Sequence, residues 1–181
     1  MLYLLGVVVI VALLAVVLYN RLIRTRNMVD NAWSQVDVQL KRRLDLIPNL
    51  VETVKGYAAH EKSTFEAVIN ARNAAVSAPS APQSQAQANN ALTGALRQLF
   101  ALSEAYPDLK ANQNFLALQE ELTSTESRVA YARQFYNDSV LGYHNQLDTF
   151  PTILIAKLGA FAHREFFEAE DAAKVPPTVK F

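Results

Sequence analysis

Leu2 to Tyr19 is a run of 18 consecutive residues with no charge, no strongly polar side chain and no proline. As a helix rising ~1.5 Å per residue it covers roughly 27 Å, close to the ~30 Å hydrocarbon core of a bilayer. Every face of the run is apolar, which does not suit a helix lying on a soluble core. Tyr3 and Tyr19 stand near its ends, where rings with a polar tip favour the membrane–water interface. A cleaved signal peptide would need a basic stretch ahead of the run and a small-x-small site behind it. Nothing basic precedes Leu2 except the amino group, and Leu18-Tyr19-Asn20 is a poor cleavage site. Residues 1–20 are therefore expected to be an uncleaved transmembrane anchor, marked by Leu2, Tyr3 and Tyr19.

The flanks give an orientation. Arg21, Arg24 and Arg26 follow the run directly, and Lys41, Arg42 and Arg43 come soon after. A basic flank prefers the cytoplasmic side, so the N-terminus is expected outside and the rest of the chain inside. Over the whole chain Lys+Arg and Asp+Glu are both 17. There is no surplus of cations to neutralise phosphates, which argues against nucleic acid as a partner. The absence of cysteine excludes a disulfide, a thiolate nucleophile and a Cys-ligated metal. With 5 Gly and 7 Pro, the chain is poor in turn residues for an all-β protein.

Helical periodicity dominates the remainder of the chain. Val29, Trp33, Val36, Leu40, Leu44 and Ile47 form one apolar stripe. Asp45-Leu46-Ile47-Pro48-Asn49 then interrupts it. Proline is disfavoured inside a helix and restricts the residue before it, so Asp45, Pro48 and Asn49 are expected to set a helix reversal, as a sharp turn or a strong kink. A second helix is expected from Pro48 to Ser77, and a polar linker that buries nothing over 78–90. A third should run from Asn89 to Ala105, ended by Tyr106-Pro107-Asp108, with Asn112 or Asn114 capping the next. In the fourth, Phe115, Leu122, Val129, Tyr136 and Tyr143 recur every seven residues, with Leu118, Thr125, Ala132 and Ser139 between them. Such a seam could pair two copies of the chain as a homo-oligomer; with three other amphipathic helices available, packing within the chain is expected. Phe150-Pro151 opens a short apolar helix through Phe167, and a tail over 171–181 is expected to be extended.

Little in the sequence points to chemistry. His60, His144 and His163 share no zinc-binding spacing, and there is no Gly-x-Ser-x-Gly elbow or glycine-rich phosphate loop. No catalytic, cofactor-binding or metal-ligating residue is assigned. Asp37, Glu126 and Arg133 are candidates for a semi-buried ionic network that fixes helix register. Glu165, Glu168, Glu170 and Asp171 read as a solvated acidic face.

One resemblance covers essentially the whole chain. Ala32-Trp33-Ser34-Gln35-Val36-Asp37-Val38-Gln39-Leu40-Lys41-Arg42-Arg43, then Asp45-Leu46-Ile47-Pro48-Asn49-Leu50-Val51, is similar to the LemA family. So are Val54-Lys55-Gly56-Tyr57-Ala58, Tyr106-Pro107-Asp108-Leu109-Lys110-Ala111-Asn112, Tyr136-Asn137-Asp138 and the closing Val179-Lys180-Phe181. The resemblance implies a bacterial, membrane-anchored, antiparallel helical domain with no enzymatic activity and no cofactor.

The expected fold is all-α: an N-terminal transmembrane helix, then an antiparallel four-helix bundle over 21–170 with a short C-terminal helix. The expected function is a non-enzymatic scaffold or adaptor presenting the bundle to protein partners at the bacterial cytoplasmic membrane. Two alternatives remain open: a lipid-binding or membrane-remodelling factor, and a membrane-tethered hydrolase using carboxylates.

Overall fold

A computed structural model of the chain describes residues 1–167. They are 83% helical, with no strand among them. Six helices follow in order: α1 Leu2–Lys55, α2 Lys62–Ser77, α3 Pro82–Ser103, α4 Pro107–Lys110, α5 Gln113–Asp148 and α6 Thr152–Leu158. The predicted extended tail, and Glu168, Glu170 and Asp171 of the acidic face, lie outside the described residues. α1 begins with a span long and apolar enough to cross a membrane, and none of that window is buried.

The sharp turn that was one of the two forms expected at Asp45, Pro48 and Asn49 is not there. α1 continues through all three residues with Pro48 inside it. Pro48 has no N–H for the carbonyl of Leu44, four residues back. Arg72 of α2 supplies the missing donor: its Nε donates to the Leu44 carbonyl oxygen at 3.1 Å. Meanwhile Ile47, Leu50, Val51 and Val54 are all buried on one face of α1. Burial of a stripe that spans the proline outweighs about 3 kcal/mol of helix cost. The chain turns instead over residues 56–61, where Tyr57 and Ala58 both donate to the Val54 carbonyl.

The expected linker over 78–90 is also mostly helix. Only residues 78–81 lie between α2 and α3, and Pro82 occupies the first turn of α3. A first-turn proline loses no hydrogen bond, and glutamine and alanine are good helix formers. The segment buries Ala86 and Asn89. At the start of α5, Asn112, one of the two candidate caps, accepts the Phe115 N–H at 3.0 Å. All five residues of the seven-residue seam are buried.

The described chain divides into two compact units, and the dividing points fall inside α1 and α5. Unit 1 comprises Met1–Gln35 and Ala132–Phe166. In it the partners of α1 residues fall in number as the α1 residues rise, so the two helical segments are antiparallel. Thr25 Oγ1 donates to Gln146 Oε1 at 3.0 Å, and the Trp33 and Tyr136 rings lie 5.3 Å apart. The segment after α6 is tied down by Arg164 on Asp30 (2.9 Å) and by the Tyr136 hydroxyl, which donates to the Glu165 carbonyl at 2.7 Å. Burial pushes the Tyr136 hydroxyl up to about 12, with Arg164 opposing the shift.

Unit 2 comprises Val36–Tyr131 with Phe167. Its core draws Ile47, Leu50, Val51 and Val54 from α1 and Phe65 and Val68 from α2. Leu92, Leu96 and Leu99 of α3, Leu109 of α4, and Phe115 and Leu122 of α5 complete it.

Candidate functional site: a buried arginine beside an apolar groove

On α1, Leu22, Val29, Val36 and Leu50 are buried at intervals of seven, and the position between the last two is Arg43. The guanidinium thus stands where the seam calls for an apolar side chain, and Arg43 is only 3% exposed. Buried cations are tolerated when paired and hydrogen-bonded. Arg43 Nη1 donates to Asn89 Oδ1 of α3 at 2.6 Å, and Nη2 forms an ion pair with Glu126 of α5. Three helices therefore meet on one side chain. Burial pulls Arg43 below the usual arginine range, and the Glu126 carboxylate opposes that shift. The Arg43 Nε is buried without an acceptor among the described residues.

Beside this network lies a groove of about 300 Å³. Leu96, Phe100 and Leu122 give it apolar walls, while Arg43, Arg97 and Glu126 bring charge to it. Thr93, Thr123 and Ser127 also line it. Each of these hydroxyls donates to the carbonyl four residues back on its own helix: Thr93 to Asn89, Thr123 to Gln119 and Ser127 to Thr123. None is held by a base as a nucleophile would be. The Glu126 carboxylate is engaged by the Arg43 guanidinium. The surface that the groove exposes is mostly apolar, which suits binding of an apolar side chain or ligand arm.

The sequence-predicted residues are dispersed. Asp37 pairs with Lys41 on α1 at 2.6 Å, on an exposed face. Glu126 pairs with Arg43, so Asp37 and Glu126 are not joined in one ion pair. Arg133 is half-buried in unit 1 and takes part in no ion pair among the described residues. Only Glu126 of the three lines the groove. Leu2, Tyr3 and Tyr19 are exposed along the apolar part of α1, followed by Arg21, Arg24 and Arg26 on the same helix. Asp45, Pro48 and Asn49 are exposed in its interior. Arg43 and Asn89 went unassigned in the sequence. The signal was a cation at a seven-residue interval in an otherwise apolar seam. Among the described residues, no group of three or more His, Asp or Glu could hold a metal ion.

The helical fold, the apolar N-terminal span and the family pattern agree. Residues 32–181 match the LemA family model, and the chain belongs to the LemA family. It is 26% identical over 160 residues to protein LemA of Metamycoplasma hominis, an alignment covering 86% of this chain and 71% of that one. It is also similar to magnetosome protein MamQ 2 of Paramagnetospirillum magneticum, 24% identical over 198 residues, covering 94% of this chain and 73% of the relative. Magnetosome protein MamQ of Magnetospirillum gryphiswaldense is 25% identical over 183 residues, covering 87% and 67%.

Proposed function

We propose that this chain is a non-enzymatic scaffold, anchored in the bacterial cytoplasmic membrane, that holds protein partners there through unit 2. The observation that carries this reading is the shared helix: α1 contains both the apolar span and the core residues Ile47 to Val54 of unit 2. A partner held on unit 2 is thereby tied to the bilayer without a flexible linker in sequence between anchor and core. The groove beside Arg43 fits the role, since its hydroxyls are bonded to their own helices and its carboxylate is paired. Support also comes from relatives named for a structure, the magnetosome, and not for a reaction.

The test is a photo-crosslinking amino acid at Arg97 or Phe100 of the full-length chain in native membranes. A discrete protein adduct, abolished by Thr123→Arg at the exposed edge of the groove, is the expected result. An absence of protein adducts, together with a hydrolytic activity of the purified chain that Glu126→Gln removes, would replace the scaffold with the carboxylate enzyme.

A further inference from the structure

α6 is apolar on the side it shows to solvent. Its inner face is made by Thr152 and Ala156, both buried. On the outside, Leu154 and Leu158 stand four residues apart, exposed by 55% and 86%, and Phe150, in the turn before the helix, is 80% exposed. Lys157 sits beside them. An amphipathic helix of a soluble domain keeps its polar face outward; α6 does not.

The end of α6 shows what this stripe faces. Phe161 N–H donates to the Ala156 carbonyl at 3.1 Å and Ala160 N–H to the Lys157 carbonyl at 3.5 Å. Ala160 adopts φ 51°. This is the double bond pattern that stops a helix with one left-handed residue. The turn lays Phe161 across Gly159, where a Cβ would meet the Phe161 ring at 2.5 Å. The ring then rests edge-on against Tyr19 at 5.6 Å, and the Arg26 guanidinium lies 5.7 Å from its centroid. Tyr19 is the last residue of the apolar run, so Phe161 packs at the end of that run.

We infer that α6 and its Phe161 turn are an interfacial foot: Phe150, Leu154 and Leu158 enter the acyl–headgroup boundary beside the anchor, and Lys157 with Arg21, Arg24 and Arg26 faces anionic headgroups. This deepens the proposed membrane attachment and presupposes that α1 crosses the bilayer. Amphipathic helices lie in the interface plane with apolar side chains sunk ~5–10 Å into that boundary, strengthened by basic residues over anionic lipid. A ring at the boundary, with a cation over its face, is the expected chemistry of that depth.

The chain has no cysteine, so single labels are unambiguous. Leu158→Cys, Val9→Cys and Glu66→Cys variants of the full-length chain, each carrying an environment-sensitive dye, are reconstituted in vesicles of mixed zwitterionic and anionic phospholipid. Some vesicles carry a nitroxide quencher on the upper acyl chain. Strong quenching at positions 9 and 158, several-fold above position 66, is expected, with loss at position 158 when Phe150 and Leu154 are both replaced by Glu. Quenching at position 9 but not at 158 would leave the anchor standing and overturn the foot. No quenching at 9 would remove the anchor and the foot together. Energy transfer between two labelled copies at position 158, without lipid quenching, would assign the stripe to a second copy of the chain and overturn the lipid assignment.

Discussion

Pro48 withholds a hydrogen bond from the Leu44 carbonyl, and Arg72 donates to the same oxygen. The pair makes a testable cycle. Pro48→Ala restores the N–H and should raise stability in urea by up to about 3 kcal/mol, the cost of proline against alanine in a helix interior. Arg72→Met in the native background leaves the carbonyl without its donor and should cost about 1–2 kcal/mol. In the Pro48→Ala background the same change should cost clearly less, since the restored backbone N–H then reaches the Leu44 carbonyl. Equal cost in both backgrounds would uncouple Arg72 from Pro48. A second asymmetry belongs to Arg43. Its side chain is 4% exposed whereas that of Glu126 is 47% exposed. Glu126→Gln leaves a cation out of water without its counter-charge and should cost about 3 kcal/mol. Arg43→Met leaves a carboxylate that water can reach and one amide oxygen without its donor, at about 1 kcal/mol. Thermal melts that rank Glu126→Gln as the milder change would contradict this account.

At the level of elements, the segment after α6 is held partly by a histidine. His144 Nε2 accepts the Arg164 N–H at 3.0 Å, while His163 and Phe166 pack on its ring and Asp148 bonds His163. Burial first, and then the neighbouring His163, lower the His144 pKa, and Asp148 opposes them. The folded form thus holds the neutral ring, and this contribution is complete above the free value of about 6.5. It is lost as pH falls from there through the lowered folded value, because the charged ring has no lone pair left for Arg164. Hydrogen exchange at the Arg164 amide should therefore quicken on acidification below pH ~6.5 beyond the chemical trend. His144→Gln, whose amide oxygen accepts at any pH, should flatten the response; identical profiles would clear His144 of the role.

The elements show how far the sequence was readable. The buried α5 seam and the Asn112 cap depend on residues within a turn or two of each other, so periodicity and residue type exposed them. The continuity of α1 did not, because the donor that tolerates Pro48 is 28 residues from Leu44. The early start of α3 was hidden for a related reason: Asn89 is buried only because Arg43, 46 residues away, gives it a partner. Polar composition at 78–90 described those side chains correctly and missed where they would be bonded.

For the molecule as a whole, Arg21, Arg24 and Arg26 after the span predict that everything beyond it is cytoplasmic. Protease added to cells with a permeabilised outer envelope and an intact inner membrane should spare both units. Digestion of unit 2 under those conditions would invert the orientation. The nesting of the two units also dictates an order of assembly. All of Val36–Tyr131 is synthesised between the two halves of unit 1. At ~5–20 residues per second, unit 2 has time to gather its core while Met1–Gln35 still waits for Ala132–Phe166. During that interval Leu22, Val29 and Ala32 have no α5 to cover them, so a ribosome paused before Ala132 would present a docked unit 2 and a bare seam. The closing of unit 1 is then the late, long-range step, and the step most exposed to capture by a second chain.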